Sequence, residues 1–194
     1  MEAIFTALET SSQLKILKIS KNNISSVDAG ILAKVVIKMK GVELYATDLT
    51  VEQITAVCTA IIGNSRLKYC ELMCNNLSLV DAGILAQAVS KLEEVGLVNT
   101  KLTPQHAEAI FAALDKSSKL KTLNIALNNF TSVDPDVLAR VVNKLEEVYM
   151  VGTALTEQQK RRVVNQYNLK TNLKKLNGWW MSENSIVSLD SLDL

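Results

Sequence analysis

The chain repeats itself every 53 residues, and this period constrains the fold more than any other feature of the sequence. Three near-copies, LKILKISKNNI, LKYCELMCNNL and LKTLNIALNNF, begin at Leu14, Leu67 and Leu120. More divergent versions, MKGVELYATDL, LEEVGLVNTKL and LEEVYMVGTAL, lie between and after them and begin at Met39, Leu92 and Leu145. The structural unit is therefore half the period, with steps that alternate between 25 and 28 residues. Such a repeat predicts a stack of similar units, each burying its apolar face against its neighbours.

Each unit contains a strand-like segment followed by a helix-like one. The units share the pattern L-x-x-L-x-L-x-x-N/T-x-L, whose first residue we number position 0. The apolar residues at positions 3 and 5 alternate with variable residues, which predicts a short strand with one buried face. About a dozen residues later the apolar residues recur at helical spacing, as in AGILAKVV and AGILAQAV. The sequence thus predicts an α/β fold with alternating strands and helices.

Helix N-caps can be identified in both kinds of unit. They are Asp28, Asp81 and Asp134 in the odd units and Thr50, Thr103 and Thr156 in the even units. Gln53 and Gln159 each stand three residues after a Thr cap, which is the capping-box arrangement. After Thr103 this place is taken by His106, which we interpret as a surface residue of the helix start.

The strand–turn–helix unit resembles a leucine-rich repeat, and its two alternating lengths resemble the ribonuclease-inhibitor-like subclass. The resemblance covers roughly residues 4–176. It implies a leucine-rich repeat solenoid shaped like a horseshoe, with a parallel β-sheet of about seven strands on the concave face and α-helices on the convex face. The expected units start near Leu14, Met39, Leu67, Leu92, Leu120, Leu145 and Leu173. We expect a repeat domain over residues 1–176 and a degenerate C-terminal cap and tail over 177–194, where the pattern fails.

Position 8 holds Asn in odd units and Thr in even units: Asn22, Asn75 and Asn128 alternate with Thr47, Thr100 and Thr153. A small polar side chain there can hydrogen-bond to backbone groups where the strand turns away. We interpret this column as structural framework.

The net charge of +1 gives no electrostatic reason to expect nucleic acid or an anionic membrane as a partner. Position 1 reads Lys15, Lys40, Lys68, Glu93, Lys121, Glu146 and Lys174. From Lys68 onward, opposite charges alternate along adjacent strands, which stabilises their register. We interpret this column as structural too.

The three cysteines, Cys58, Cys70 and Cys74, form no disulfide framework, and no segment resembles a signal peptide or a membrane span. We therefore expect a cytoplasmic protein. One feature favours an extracellular alternative: the sequons at Asn23, Asn76 and Asn129 recur once per odd unit. We interpret them as a by-product of the repeat.

Catalytic signatures are missing from the sequence. There is one histidine, and there is no glycine-rich phosphate loop, Cys-x-x-Cys or His-Glu-x-x-His motif. Glu52 and Glu108 lie near helix starts, where they complement the helix dipole. The sequence predicts a protein that is not an enzyme and has no cofactor or metal.

Positions 2, 4 and 6 project away from the buried leucines and vary from unit to unit. Tyr45, Tyr69, Met73 and Val98 come from three consecutive strands, and we expect them to form one exposed aromatic and apolar patch. Tyr149, Val151 and Trp179 are expected to form a second. With Glu71 and Asn124 from position 4, these residues are the candidate contacts for a protein or peptide ligand on the concave face.

The phrases S-S-V-D-x-x-x-L-A-x-x-V and K-L-E-E-V resemble the C-terminal sensor region of NLR-type innate immune receptors, whose leucine-rich repeats bind ligand or hold the receptor inactive. One alternative is an enzyme inhibitor of the ribonuclease-inhibitor type, although that family is rich in cysteine and strongly acidic. Another is an extracellular recognition receptor similar to the variable lymphocyte receptors.

Residues 4–13 match residues 110–119 almost letter for letter, so the chain opens in the helix of a unit without its strand. The first strand then has an exposed edge. Either earlier units of a longer protein cover this edge, which we favour, or another chain does so through self-association.

Overall fold

Strands and helices alternate through the repeats. The computed structural model describes residues 2–11, 13–167 and 175–178. The elements are α1 (Glu2–Thr10), β1 (Ile16–Lys18), α2 (Ala29–Val36), β2 (Gly41–Glu43), α3 (Val51–Gly63), β3 (Tyr69–Glu71), α4 (Ala82–Lys91), β4 (Glu94–Gly96), α5 (Pro104–Lys116), β5 (Thr122–Asn124), α6 (Pro135–Lys144), β6 (Glu147–Met150), α7 (Glu157–Tyr167) and β7 (Lys175–Gly178). Strands β1 to β6 each begin at position 2 of a unit, as the repeat pattern predicts.

The strands form one parallel sheet in the order β1 to β7. Residues at the same position of successive units pair with each other, so that Leu17 lies beside Val42 and Val42 beside Cys70. The predicted α/β class with a parallel sheet is confirmed. Strand β7 crosses residue 176, the predicted end of the repeat domain. Leu173 and residues 179–194 lie outside the described residues.

The core lies between one face of the sheet and the helices. At position 3 the side chains from Leu17 to Val148 are all buried, and position 10 contributes a further buried side chain from each of the six units. Phe130, at position 10, meets Phe111 of α5 edge to face, with ring centroids 5.5 Å apart. The helices supply their apolar stripes, such as Leu85 and Val89 of α4.

After each strand the chain turns away from the sheet through a left-handed residue at position 7. These residues are Lys21, Ala46, Cys74, Asn99, Leu127 and Gly152. Only Gly152 adopts this conformation without a Cβ penalty. The same turn in all six units shows that the stacking imposes this conformation on unfavourable residue types.

The helix caps connect neighbouring units as well as starting the helices. Asp28 accepts a hydrogen bond from the Ile31 backbone N–H at 2.9 Å. Thr50 and Gln53 form the predicted capping box. The Gln53 amide also donates to the carbonyl oxygens of Ile24 and Val27, at 2.8 and 2.6 Å. These two carbonyl groups belong to the preceding unit, so one side chain caps α3 and joins two units.

The position-8 asparagines make the most extensive connection between units. Asn75 Oδ1 accepts from the backbone N–H groups of Thr47 and Leu49, at 3.3 and 3.2 Å. Its Nδ2 donates to the carbonyl oxygens of Leu44 and Leu72, at 2.7 and 3.1 Å. Asn128 makes the equivalent bonds one repeat later. A buried amide thus pairs backbone groups of two units that have no strand partner.

The threonines at position 8 complete this arrangement. The Thr47 hydroxyl donates to the Leu44 carbonyl oxygen at 2.9 Å, and Thr100 and Thr153 repeat the bond. Asn22, in the first described unit, is exposed, and its Nδ2 donates only within its own turn, to Ile19 and Ser20. Asn22 therefore provides a natural comparison for Asn75.

We expect Asn75→Ala to lower the free energy of unfolding by about 2 to 4 kcal/mol, because it leaves several buried backbone groups without partners. Asn22→Ala is the matched control and should cost less than about 1 kcal/mol, since water can replace its bonds. Urea unfolding monitored by circular dichroism measures both. Equal losses would contradict a role for Asn75 between units.

Candidate functional site

The face of the sheet opposite the helices carries positions 2, 4 and 6, and we call it the open face. In β1 the burial alternates clearly, with Ile16 and Lys18 exposed and Leu17 between them buried. The same alternation recurs in β3 and β5 with half-buried flanking residues. All candidate contacts within the described residues lie on this face.

Two glycines on the open face are covered by large side chains from the next strand or the preceding one. A Cβ on Gly41 would lie 2.0 Å from the Tyr69 ring, and a Cβ on Gly96 would lie 1.9 Å from Glu71 Oε2. Gly41 and Gly96 are buried although they face away from the core. The sequence analysis missed this pairing, which was indicated by a glycine beside a bulky residue at the same position of the neighbouring unit.

The pKa of Glu71, on this face, is strongly shifted. Burial, followed by the nearby charges of Glu43 and Glu94, raises the pKa of Glu71 to about 7. Its Oε2 is buried and has no hydrogen-bond partner among the described residues. Glu43 is paired with Lys18 at 2.7 Å. The centre of the open face therefore holds a carboxyl group that lacks a complementary charge or donor.

Tyr45, Met73 and Val98 lie next to each other at position 6, just beyond the strands. The backbone ladder continues there, since Ala46 donates to the Met73 carbonyl and Cys74 to the Val98 carbonyl, both at 2.9 Å. The three side chains are half-buried. The structure thus brings the first predicted group together as a row.

The side chains of this group are less exposed than the sequence analysis predicted. Tyr45, Tyr69, Met73 and Val98 are all half-buried, and Tyr69 fills the gap above Gly41. Among the described residues, the exposed large apolar side chains are Ile4, Ile16, Ile37, Leu79, Leu127 and Val164. The open face is therefore a mixed aromatic and acidic surface and not a large apolar patch.

The second predicted group is partly described. Asn124 lies beside Tyr149 in the sheet register. The Tyr149 hydroxyl donates to Glu147 Oε2 at 2.8 Å. Val151 follows at position 6 and is half-buried. Trp179 lies outside the described residues.

The sequence analysis interpreted His106 as a surface residue, and this is wrong. The His106 side chain is only 3% exposed. Its Nδ1 accepts from the Thr103 N–H at 3.3 Å, and its backbone N–H donates to Thr103 Oγ1 at 3.4 Å. Its Nε2 lies 2.8 Å from the Val80 carbonyl oxygen and donates to it. The imidazole therefore replaces the capping-box glutamine, and its ring nitrogens bond to the helix cap and the preceding unit.

The remaining reactive side chains do not form a site. Burial raises the pKa of the Cys58 thiol to about 12 and that of Cys70 well above its usual range, so neither forms a thiolate nucleophile. Across the described ranges, no group of three His, Cys, Asp or Glu side chains is placed to hold a metal ion. No helix in the described part of the chain is long and apolar enough to cross a bilayer.

A scan against protein-family models finds no match to this chain. A search of curated proteins likewise finds no significant match.

We expect His106→Gln to keep the free energy of unfolding within about 0.5 kcal/mol of the parent or to raise it, because Gln53 and Gln159 already serve at this place in the other repeats. His106→Ala should cost about 1 to 2 kcal/mol through loss of the cap bonds. Thermal and urea unfolding measure both variants. A Gln variant as unstable as the Ala variant would contradict the capping role.

Glu71→Gln should change the pH dependence of stability. Because the pKa in the folded chain lies near 7 and the ordinary value near 4.5, the parent loses stability as pH rises between these values. We compare the free energy of unfolding of the Gln variant with that of the parent at each pH. Above about pH 7 this difference should favour the variant by on the order of 1 to 2 kcal/mol more than it does at low pH, a figure that allows for solvent screening of the half-buried group. Urea unfolding at about pH 4 and about pH 8 tests this. A difference independent of pH would contradict the raised pKa.

Proposed function

We propose that this chain is a leucine-rich repeat solenoid of the ribonuclease-inhibitor-like subclass, with its sheet on the concave face. Two features support this geometry. The strands follow each other in order in one parallel sheet, and a helix follows each strand. Adjacent strands lie about 4.8 Å apart, whereas packed helices need about 8 to 10 Å. A stack of such units bends toward its strands, which makes the open face concave.

The function we propose is recognition of a protein or peptide on the open face, as in the sensor region of NLR-type receptors. The observation that carries this proposal is Glu71, a half-buried carboxyl with an unpartnered oxygen, set among half-buried aromatic side chains. Unsatisfied buried polar groups and perturbed pKa values concentrate at functional sites. A partner that donates a hydrogen bond or a positive charge to Glu71 would satisfy this oxygen.

A cytoplasmic location is part of this proposal, and the sequons have a structural explanation consistent with it. Asn23 Oδ1 accepts from the Ser25 backbone N–H and hydroxyl, at 3.0 and 2.7 Å. Asn76 and Asn129 make the same pair of bonds with the residue two places on. The turn after each odd strand therefore uses Asn-x-Ser/Thr for its own hydrogen bonds. The three cysteines are free thiols, as expected in a reducing compartment.

The open face is tested by affinity capture from cytosol of the native host, followed by quantitative binding of the captured partner. We expect Tyr45→Glu combined with Met73→Glu to weaken that binding by roughly a hundredfold, since two central apolar contacts are replaced by charged groups that lose water on binding.

The matched control is Thr59→Glu with Gln87→Glu, which adds the same charge at exposed positions of α3 and α4. This control should bind like the parent, and both variants should unfold at the parent's temperature. A partner lost by the control and kept by the open-face variant would move the binding surface to the helices.

A further inference from the structure

The near-zero net charge conceals a strong separation of charge between the two edges of the sheet. The edge where helices end and strands begin carries a group of basic residues: Lys15, Lys38, Lys40, Arg66, Lys68, Lys91, Lys116, Lys119, Lys121 and Lys144. The opposite edge, where strands end and helices begin, carries four aspartates and two lysines: Asp28, Asp48, Asp81, Asp134, Lys21 and Lys101. We call the first the basic edge.

A cavity of about 250 Å³ lies in the middle of the basic edge. Its charged lining consists of Lys40, Arg66, Lys68, Lys91, Lys119 and one carboxylate, Glu93. The loop that carries Arg66 is held in place by Asn64, which is buried. Asn64 Nδ2 donates to the Met39 carbonyl at 3.0 Å, and its Oδ1 accepts from the Arg66 N–H at 2.9 Å. The cavity is therefore built on an ordered loop.

Arg66, Lys91 and Lys119 occupy the place just before position 0 in three successive units. Lys38 and Lys144 hold the same place at the two ends of this row and are bound to acidic residues. Lys38 Nζ donates to the Glu9 carbonyl, and Lys144 Nζ donates to Asp115 Oδ1 at 2.9 Å. No ion pair joins Arg66, Lys91 or Lys119 to a carboxylate within the described ranges.

The central repeat has lost the acid that its neighbours use. Glu9 and Asp115 occupy equivalent places in the first and third repeats, and the equivalent residue in the second is Ile62. Lys91, the counterpart of Lys38 and Lys144, thus has no acidic residue beside it in that place. Gln87 likewise replaces Lys34 and Arg140, the bases that pair with these acids in the other repeats, so the loss of the acid is matched by the loss of a base. What the central repeat lacks is the ion pair beside Lys91.

Position 1 shows the same departure. Lys40 stands where the other even units have Glu93 and Glu146. Glu93 is shared by Lys68 at 3.3 Å and Lys121 at 3.5 Å. The hydrogen bond and charge of Lys68, with a smaller contribution from Lys121, lower the pKa of Glu93. The one carboxylate in the cavity is therefore already neutralised.

The helix dipoles explain the positions of only some of the basic residues that line the cavity. A basic residue in the last helical turn is favoured by the partial negative charge there, which explains Lys91 at the end of α4. Arg66 and Lys119 lie in loops beyond the helix ends, and Lys40 directly precedes a strand. Their positions need another explanation.

We propose that this cavity binds a compact, multiply charged phosphate anion through Arg66, Lys91, Lys119 and Lys40. Arg66 offers the forked donor that matches phosphate oxygens, and the lysines add point charges. The four side chains come from four successive units, whose strands lie about 5 Å apart. The flanking ion pairs of Glu9 and Asp115 end the basic row on both sides, which favours a compact anion over an extended polyanion. This site is separate from the open face.

The test is titration of the whole chain with inorganic triphosphate by calorimetry, at low and at physiological ionic strength. We expect Arg66→Gln with Lys91→Gln to weaken binding at least roughly tenfold, since two charge-assisted hydrogen bonds to the phosphate oxygens are lost. The matched control, Lys38→Gln with Lys144→Gln, removes two charges from the ends of the same row and should change affinity less than about twofold. Equal weakening by both pairs, or no binding of triphosphate by the parent, would overturn the proposal.

A second variant avoids any question of folding. Lys40→Glu introduces the residue that two other even units already carry at this position, so the fold should accept it. It should also abolish triphosphate binding, and retained affinity would overturn the proposal.

Two further measurements identify the source of the phosphate and test single-stranded nucleic acid as an alternative ligand. Co-flotation with phosphatidylcholine vesicles that contain phosphatidic acid, reversed by free triphosphate, would assign the site to a lipid headgroup. Triphosphate binding without co-flotation would assign it to a free phosphorylated compound. Binding of single-stranded oligonucleotide that both variant pairs weaken equally would overturn the compact site.

Discussion

The hydrogen bonds of the position-8 asparagines are the constraint on which the rest of this structure depends. The strands are only three or four residues long, and the sheet ladder leaves some backbone groups in the following turns, such as the N–H groups of Thr47 and Leu49, without a partner. Asn75 and Asn128 supply these partners from inside the stack and fix the distance between successive turns. Because this geometry recurs, each unit leaves its strand through the same left-handed residue, even where that residue is Ala46 or Leu127. The regular framework then allows positions 2, 4 and 6 to vary.

At these variable positions, side chains of neighbouring strands pack against each other across the open face. Tyr69 lies above Gly41 and Glu71 above Gly96, so the single strand β3 places a bulky side chain over a glycine of each neighbouring strand. The packing draws the Glu71 carboxyl partly out of water, and this burial, together with the charges of Glu43 and Glu94, raises its pKa. An ordinary solvent-facing carboxylate would avoid this cost by pointing outward. The open face is therefore shaped and charged in a way that its framework does not require.

The sequence predicted features that lie within one repeat unit better than features that depend on the contact between two units. Strand starts, the Asp28 and Thr50 caps and the parallel α/β class follow from short patterns that any one unit displays. His106 was misjudged because the capping-box pattern names Glu or Gln, although an imidazole nitrogen can accept the same bond. The cover of Gly96 by Glu71 depends on the pairing of two units, so it appears only when neighbouring residues of one position are considered together.

The charges illustrate why departures within a repeat are more informative than its average. Each helix favours acids at its start and bases at its end, so stacking identical units already produces one acidic and one basic edge. Ion pairs such as Glu9 with Lys34 and Asp115 with Arg140 then reduce the charge of the basic edge at both ends. Between them, Ile62 replaces the acid and Lys40 replaces a glutamate found in the other even units. Gln87 also replaces the base that pairs with this acid in the other repeats, so Ile62 leaves Lys91 without an acidic neighbour there but adds no net charge. Lys40, in contrast, adds positive charge to the cavity. Two independent departures that converge on one place are better explained by a ligand than by the dipole.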